Sequence, residues 1–328
     1  MEHYIGVDLH QAFFQACAVD GTGARVWEDR FPRSTAGIAA LAARCDRGTA
    51  LAVEASTPTW HFADAIGDRV GELRIVDPTK TKLKAGFAAK TDRLDARRLA
   101  DALRRESVVS VYVPTPAIRE LREVCRGRHQ VVRLRSRLAQ MIRALLLRCD
   151  AGEPPGTRLY APAALTWLEQ LHLPTAADRT LHRFERVYRA VHADAQAADS
   201  EVRDRAKADP IAARLDDLVG IGPIMALTVR AEIGDIARFR SGPALASYAG
   251  LVPRVDSSAG RVYHGRITRE GSPWLRWALV QAARHAIRRD DPRARWARRL
   301  AVRKGINKAR VALARELCDE VIRTWGAG

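Results

Sequence analysis

Lys90-Thr-Asp-Arg-Leu-Asp-Ala-Arg-Arg-Leu-Ala-Asp101 places Asp92 and Asp95 three residues apart at the opening of a helical pattern. Residues at i and i+3 share a helical face, so both carboxylates point the same way. Asp92 stands where an N-cap belongs, and Leu94, Ala96, Leu99, Ala100 and Leu103 supply the apolar stripe that seats the helix. An acid pair in a first turn commonly does no more than cap the helix and complement its dipole. Two further acids upstream, inside apolar runs with no structural use for them, argue for more.

The upstream chain alternates strands with helices. Tyr4-Ile-Gly-Val-Asp-Leu-His10 reads as a buried strand interrupted by an acid, Phe13 to Val19 as a second, and Ala24 to Phe31 as a third beyond the Gly21-Thr-Gly23 turn. A helix to Cys45, the strand Ala50-Leu-Ala-Val-Glu-Ala55, a helix from Pro58 and the strand Leu73 to Asp77 follow, which predicts an α/β domain. Asp8 and Glu54 each fall at the end of an apolar strand. A buried, unpaired carboxylate costs several kcal/mol, so such residues lie at strand tips, are partnered, or hold a cation. Asp8, Glu54, Asp92 and Asp95, brought together, repel one another, and a divalent ion relieves that. Mg²⁺ prefers oxygen ligands, and a pair of such ions suits phosphodiester chemistry.

The charge agrees. The 328-residue chain carries 55 Lys and Arg against 38 acids, a formal +17, which favours a polyanionic partner. Its five cysteines are scattered without a CxxC pair, so they suggest neither a disulfide framework nor a zinc site. No apolar run reaches the length of a membrane span, and a cytoplasmic protein, in the bacterial cytosol or nucleoid, is expected.

Between the strands and the aspartate pair, residues 79–90 carry Lys80, Lys82, Lys84 and Lys90, either a solvated loop or donors at the place where a phosphate backbone would enter. Pro114 and Pro116 end this region. From Ile118, apolar residues to Leu145 recur at helical spacing among many arginines, Arg133, Arg135 and Arg137 included, giving a long helix with a basic face. A second long helix is predicted from about Asp178 to Pro210, and two such helices form an antiparallel pair or an oligomerisation bundle. The turn Gly220-Ile-Gly222 before Pro223 resembles a helix-hairpin-helix, whose glycines let N–H groups approach phosphate. Further on, Ser257-Ser258-Ala259-Gly260 reads as a loop with small neighbours around a hydroxyl. Arg254, Arg261, Arg266 and Arg269 are candidate phosphate clamps beside it. Ser241 has the setting of an N-cap, and Ser247 lies in a helical pattern.

Tyr-Ile-Gly-Val-Asp8, Val-Glu54-Ala-Ser and Lys-Thr-Asp92-Arg-Leu-Asp95-Ala-Arg resemble the DEDD motifs of the insertion-sequence 110 transposases, the bridge-RNA-guided recombinases. Ala246-Ser-Tyr-Ala-Gly-Leu-Val-Pro253 and Gly265 to Arg276 are similar to their C-terminal transposase domain. The resemblance implies an RNase H-like (RuvC-like) domain at 1–112, a helical coiled-coil and dimerisation region at 113–210, and a mainly helical transposase domain at 211–328. It also implies Mg²⁺, with Mn²⁺ as substitute, on Asp8, Glu54, Asp92 and Asp95. Matching from Pro253 to Gly271 puts the family's nucleophile at Ser258. The family more often has Ser-Gly there, which leaves Ser257 as a minor alternative. Donor and target DNA, a structured bridge RNA and a homodimer that assembles to a tetramer are the implied partners. The rivals are a junction nuclease that uses the acids and water without a serine adduct, and a non-catalytic RNA- or DNA-binding scaffold.

Overall fold

The structure is a computed structural model that describes residues 2–77, 80–81, 92–258 and 261–326, with the side chains of 175 and 255–264 outside the description. Its contacts divide the chain into two units, Met1–Val113 and Pro114–Gly328.

In the first unit, strands β1 (His3–Leu9), β2 (Phe13–Asp20) and β3 (Arg25–Pro32) run antiparallel as a meander. Helix α1 (Thr35–Ala42) then carries the chain across to β4 (Thr49–Glu54), and α2 (Thr59–Ile66) leads on to β5 (Glu72–Val76). β4 pairs parallel to β1 and β5 parallel to β4, giving a mixed five-stranded sheet of order β3-β2-β1-β4-β5. The alternation of the strands sorts residues onto two faces. Ile5, Val7, Phe14, Leu51, Val53 and Ile75 pack with Ile38, Leu41, Phe62 and Ile66 on one face.

The opposite face belongs to α3 (Asp92–Arg104), whose Ala96, Leu99, Ala100 and Leu103 pack on Cys17, Val19, Ala50, Ala52 and Val76. Residue 6 permits this seat. A Cβ on Gly6 would stand 2.1 Å from the Ala96 carbonyl oxygen and 2.5 Å from the Ala100 nitrogen, so only glycine lets the helix backbone lie directly on β1. At the far end of α3, an Arg104 Nη reaches toward the Gly21 carbonyl in the β2–β3 turn. That turn sits at the His3 end of β1, because His3 registers with Asp20. The N-terminus of α3 therefore lies at the Asp8 end.

The second unit begins with α4 (Pro116–Arg148), started by Pro116 and by the Thr115 hydroxyl, which accepts from the Ile118 amide. After α5 (Pro162–Gln170), α6 (Thr175–Ala208) returns beside α4. The pairs Glu120–Arg205 at 2.8 Å, Arg128–Asp199 at 2.6 Å and Arg135–His192 at 3.4 Å climb one helix as they descend the other, so the two are antiparallel. Leu138, Ile142, Leu145 and Leu146 meet Leu168, Leu181 and Tyr188 toward the tip of this helical hairpin. Its base is continuous with the C-terminal core: Cys125 and Val202 pack in one cluster with Leu227, Leu245, Leu279 and Leu317.

That core is built from α7 (Pro210–Asp216), α8 (Pro223–Ile233), α9 (Gly242–Tyr248), α10 (Pro273–Ala286), α11 (Pro292–Lys304) and α12 (Ile306–Gly326). Between α9 and α10 the chain forms an antiparallel hairpin of β6 (Pro253–Ser258) and β7 (Arg261–Ile267), where a loop was expected from its serines and arginines. Gly220, expected to open the backbone to phosphate, is taken up by packing. A Cβ there would stand 2.5 Å from the Ala282 carbonyl oxygen of α10.

One buried charge ties α4 to this core. Glu232, 1% exposed, accepts from Arg126 Nε at 2.8 Å, from Arg126 Nη2 at 3.0 Å and from the Ser272 hydroxyl at 2.8 Å. Arg126→Ala leaves that carboxylate buried without its cation and is expected to cost about 3–5 kcal/mol in chemical denaturation. A loss below about 1 kcal/mol would show the pair to be dispensable.

Candidate active site

In the parallel register of β1 with β4, Val7 pairs with Val53, so Asp8 and Glu54 each stand one residue beyond. Neighbouring strands are about 4.8 Å apart, and residues at equivalent positions of a parallel pair share a face. The face is that of Gly6 and Ala52, under α3. From β1 the chain passes to β2 on one side, while β4 connects to β5 on the other, so the crevice where connections diverge opens beside these acids. The Thr59 hydroxyl donates to the Glu54 carbonyl at 2.8 Å and accepts from the Ser56 amide at 2.8 Å, fixing the backbone where β4 ends.

Asp92 and Asp95 come to this crevice on the first turn of α3. Burial pushes the Asp8 carboxyl above its ordinary range; His10 opposes the shift, and Asp92 and Asp95 add to it. Asp95 also receives Arg98 Nη1 at 3.4 Å. The structure thus brings Asp8, Asp92 and Asp95 into one electrostatic neighbourhood, with Glu54 on the adjoining strand. Oxygen donors crowded around a carboxyl that burial and neighbouring acids push upward fit a hard divalent cation.

His10 was not among the candidates. Its Nε2 lies 3.1 Å from Asp8 Oδ2 and 3.4 Å from Asp92 Oδ1, bridging β1 to α3. The donor atoms of Asp8, His10 and Asp92 lie within 4.8 Å of one another, a grouping able to hold a metal ion. The signal was present in the sequence: on an extended chain His10 shares the face of Asp8, two residues before it. Its ring stacks on Phe13 at 4.6 Å, which Arg30 covers in turn at 3.4 Å.

Of the basic candidates, Lys80 is turned to Asp77, its Nζ 3.6 Å from the carboxylate, while Lys82, Lys84 and Lys90 lie outside the described residues. On α4, Arg133 and Arg137 are exposed and line a shallow polar groove with Gln130, Ser136 and Gln140. Arg135 faces elsewhere, over the Tyr160 ring at 5.3 Å and toward His192.

Ser258 ends β6 opposite Arg261, and Ser257 pairs with Val262; the side chains of these residues lie outside the described set. The root of the hairpin is well defined. Gly250 and Gly271 both have positive φ, 66° and 95°, and an added Cβ would strike the Glu270 carbonyl at 2.3 Å and the Tyr248 carbonyl at 1.9 Å. Thr268 N donates to the Val252 carbonyl at 2.9 Å across this root. Arg254, Arg266 and Arg269 are exposed around the hairpin. Arg276 is held below its ordinary range by burial and by the charge of Arg269 nearby. Ser241 caps α9, accepting from the Ala244 amide, and Ser247 lies within that helix.

Comparison with known proteins gives these features a family. A model of the DEDD transposases, described as "Transposase", matches residues 5–149, and one described as "Transposase IS116/IS110/IS902 family" matches residues 212–297. Each unit thus carries a transposase segment. The chain belongs to the IS116/IS110/IS902 transposase family. It is 28% identical to the transposase for insertion sequence element IS1111A of Coxiella burnetii over 94% of this chain and 86% of that protein. It is 26% identical to the transposase for insertion sequence element IS1328 of Yersinia enterocolitica, over 95% and 93% respectively. A probable family 20 transposase of Pseudomonas aeruginosa is 28% identical over 80% of each chain. Among the described residues no helix is long and apolar enough to cross a membrane.

Proposed function

We propose that the chain is the recombinase of an insertion sequence, cutting and rejoining donor and target DNA under the guidance of a structured bridge RNA. Asp8, Glu54, Asp92 and Asp95 hold Mg²⁺, or Mn²⁺ in its place, in an RNase H-like unit, and Ser258 is the nucleophile. The observation that carries the reading is the seating of the first turn of α3 against the end of β1, which sets Asp92 and Asp95 beside the half-buried Asp8. When bound, the metal supplies charge neutralisation to phosphate oxygens. The chain's own residues orient the strand: the arginines around the β6–β7 hairpin offer the donors that phosphate recognition requires.

The basic groove of α4 is the proposed nucleic-acid track. Replacing Arg133 and Arg137 by alanine should flatten the slope of log affinity against log salt by about 2, with the fold retained. An unchanged slope would move the track elsewhere. Beside the groove, Leu134 and Met141 are exposed one heptad apart, 49% and 38%, and supply an apolar seam for the proposed homodimer and its tetramer.

The direct test of the metal reading is Asp92→Asn, which keeps the shape and removes the charge. Mn²⁺ affinity should fall by about tenfold or more and cleavage of labelled DNA should stop. A variant that binds Mn²⁺ and cuts like the parent would end the proposal and leave the acids as a helix cap.

A further inference from the structure

We propose that His172, Asp178 and His182 form a second metal site, for Zn²⁺ or a similar transition-metal ion, at the tip of the α4–α6 helical hairpin. Asp178 and His182 stand one turn apart on α6, hence on one face, and His172 comes from the segment joining α5 to α6. His182 Nε2 is 3.6 Å from Asp178 Oδ1, and His172 Nδ1 is 3.8 Å from the same oxygen. All three donor atoms lie within 4.8 Å of one another.

These separations are longer than hydrogen bonds, and they approach the edge of a coordination tetrahedron. With zinc–ligand bonds of about 2.0–2.1 Å, adjacent ligands stand roughly 3.4 Å apart. The two histidine–aspartate separations exceed that edge by only a few tenths of an ångström. The Leu173 amide donates to Asp178 Oδ1 at 2.9 Å, the outer hydrogen bond that orients a ligating carboxylate. Two imidazoles with one carboxylate select borderline-soft ions over Mg²⁺, which separates this site chemically from the all-oxygen set around Asp8. Three protein ligands leave a fourth position for water.

The site has a structural use. Pro174 at the N-cap of α6 provides no side-chain hydrogen bond to its first turn. A metal held by His172, Asp178 and His182 clamps the first two turns of α6 to the preceding segment instead, stiffening the tip.

The test uses the full-length chain carrying Asp8→Asn and Asp92→Asn, so that the other acidic site is disabled. Co²⁺ titrated into this protein should give an intense visible band, saturating at one ion per chain and displaced by Zn²⁺. Adding His172→Ala should abolish the band, and adding His182→Ala should weaken Co²⁺ binding by about tenfold or more. His172 is 84% exposed, so its replacement leaves the fold alone. Zn²⁺ should raise the unfolding temperature of the parent and not of the His172→Ala protein. No visible band, or Co²⁺ binding unchanged by either histidine substitution, would overturn the site.

Discussion

Gly6→Ala is expected to cost the first unit about 3 kcal/mol or more and to detach the first turn of α3 from Asp8. The added methyl would sit 2.1 Å from the Ala96 carbonyl oxygen and 2.5 Å from the Ala100 nitrogen, both backbone atoms that no rotamer change can move. Relief requires the whole helix to lift, and lifting uncovers Cys17, Val19, Ala50 and Ala52 beneath it. Because Asp92 and Asp95 ride on that helix, divalent-metal affinity should fall together with stability. Gly21→Ala is the control: nothing stands within 4 Å of its added Cβ, and it should be neutral within about 0.5 kcal/mol. Urea unfolding and Mn²⁺ titration of the two variants decide the matter. Equal stability in both would mean that α3 does not rest on β1 through residue 6.

The second large effect is expected at Ser258. If its hydroxyl oxygen attacks phosphorus, a serine–phosphate bond forms as the bond to the departing deoxyribose oxygen breaks. The proton lost by the serine ends on the departing deoxyribose oxygen, and rejoining reverses the exchange without an external energy source. Ser258→Ala should therefore remove the covalent protein–DNA adduct and lower strand exchange by on the order of 10⁴-fold. Metal binding and RNA binding should persist. Ser257→Ala should retain most activity. Denaturing gels of labelled DNA, with peptide mapping of the adduct, give the answer. Free cleaved ends without an adduct favour water as nucleophile and a junction nuclease; an adduct that survives Ser258→Ala places the nucleophile elsewhere.

Much of the first unit was legible because its signals are local. Periods of two and 3.6 mark the strands and α3, and the i, i+3 spacing of Asp92 and Asp95 is a property of one helical turn. What escaped the sequence depends on elements distant along the chain. The need for glycine at position 6 arises from a helix some ninety residues later, and Gly220 is committed by α10. The partnership of Glu232 with Arg126 crosses from α8 to α4. Arg135 differs from Arg133 and Arg137 only through the rotation of α4 against α6 and Tyr160. The β6–β7 strands escaped for another reason: β6 is polar and ends in two serines, and in β7 the apolar Val262, Tyr263 and Ile267 do not alternate regularly, so neither shows the pattern by which half-buried strands are recognised.

The antiparallel course of α4 and α6 also makes the helical hairpin a length standard. Both ends of the excursion are held at its base, where Cys125 and Val202 enter the C-terminal core. Seven residues added to each helix would carry the tip outward by about 10 Å while leaving the base in register. The reach of the hairpin is thus set in whole heptads, independently of the core that holds its base.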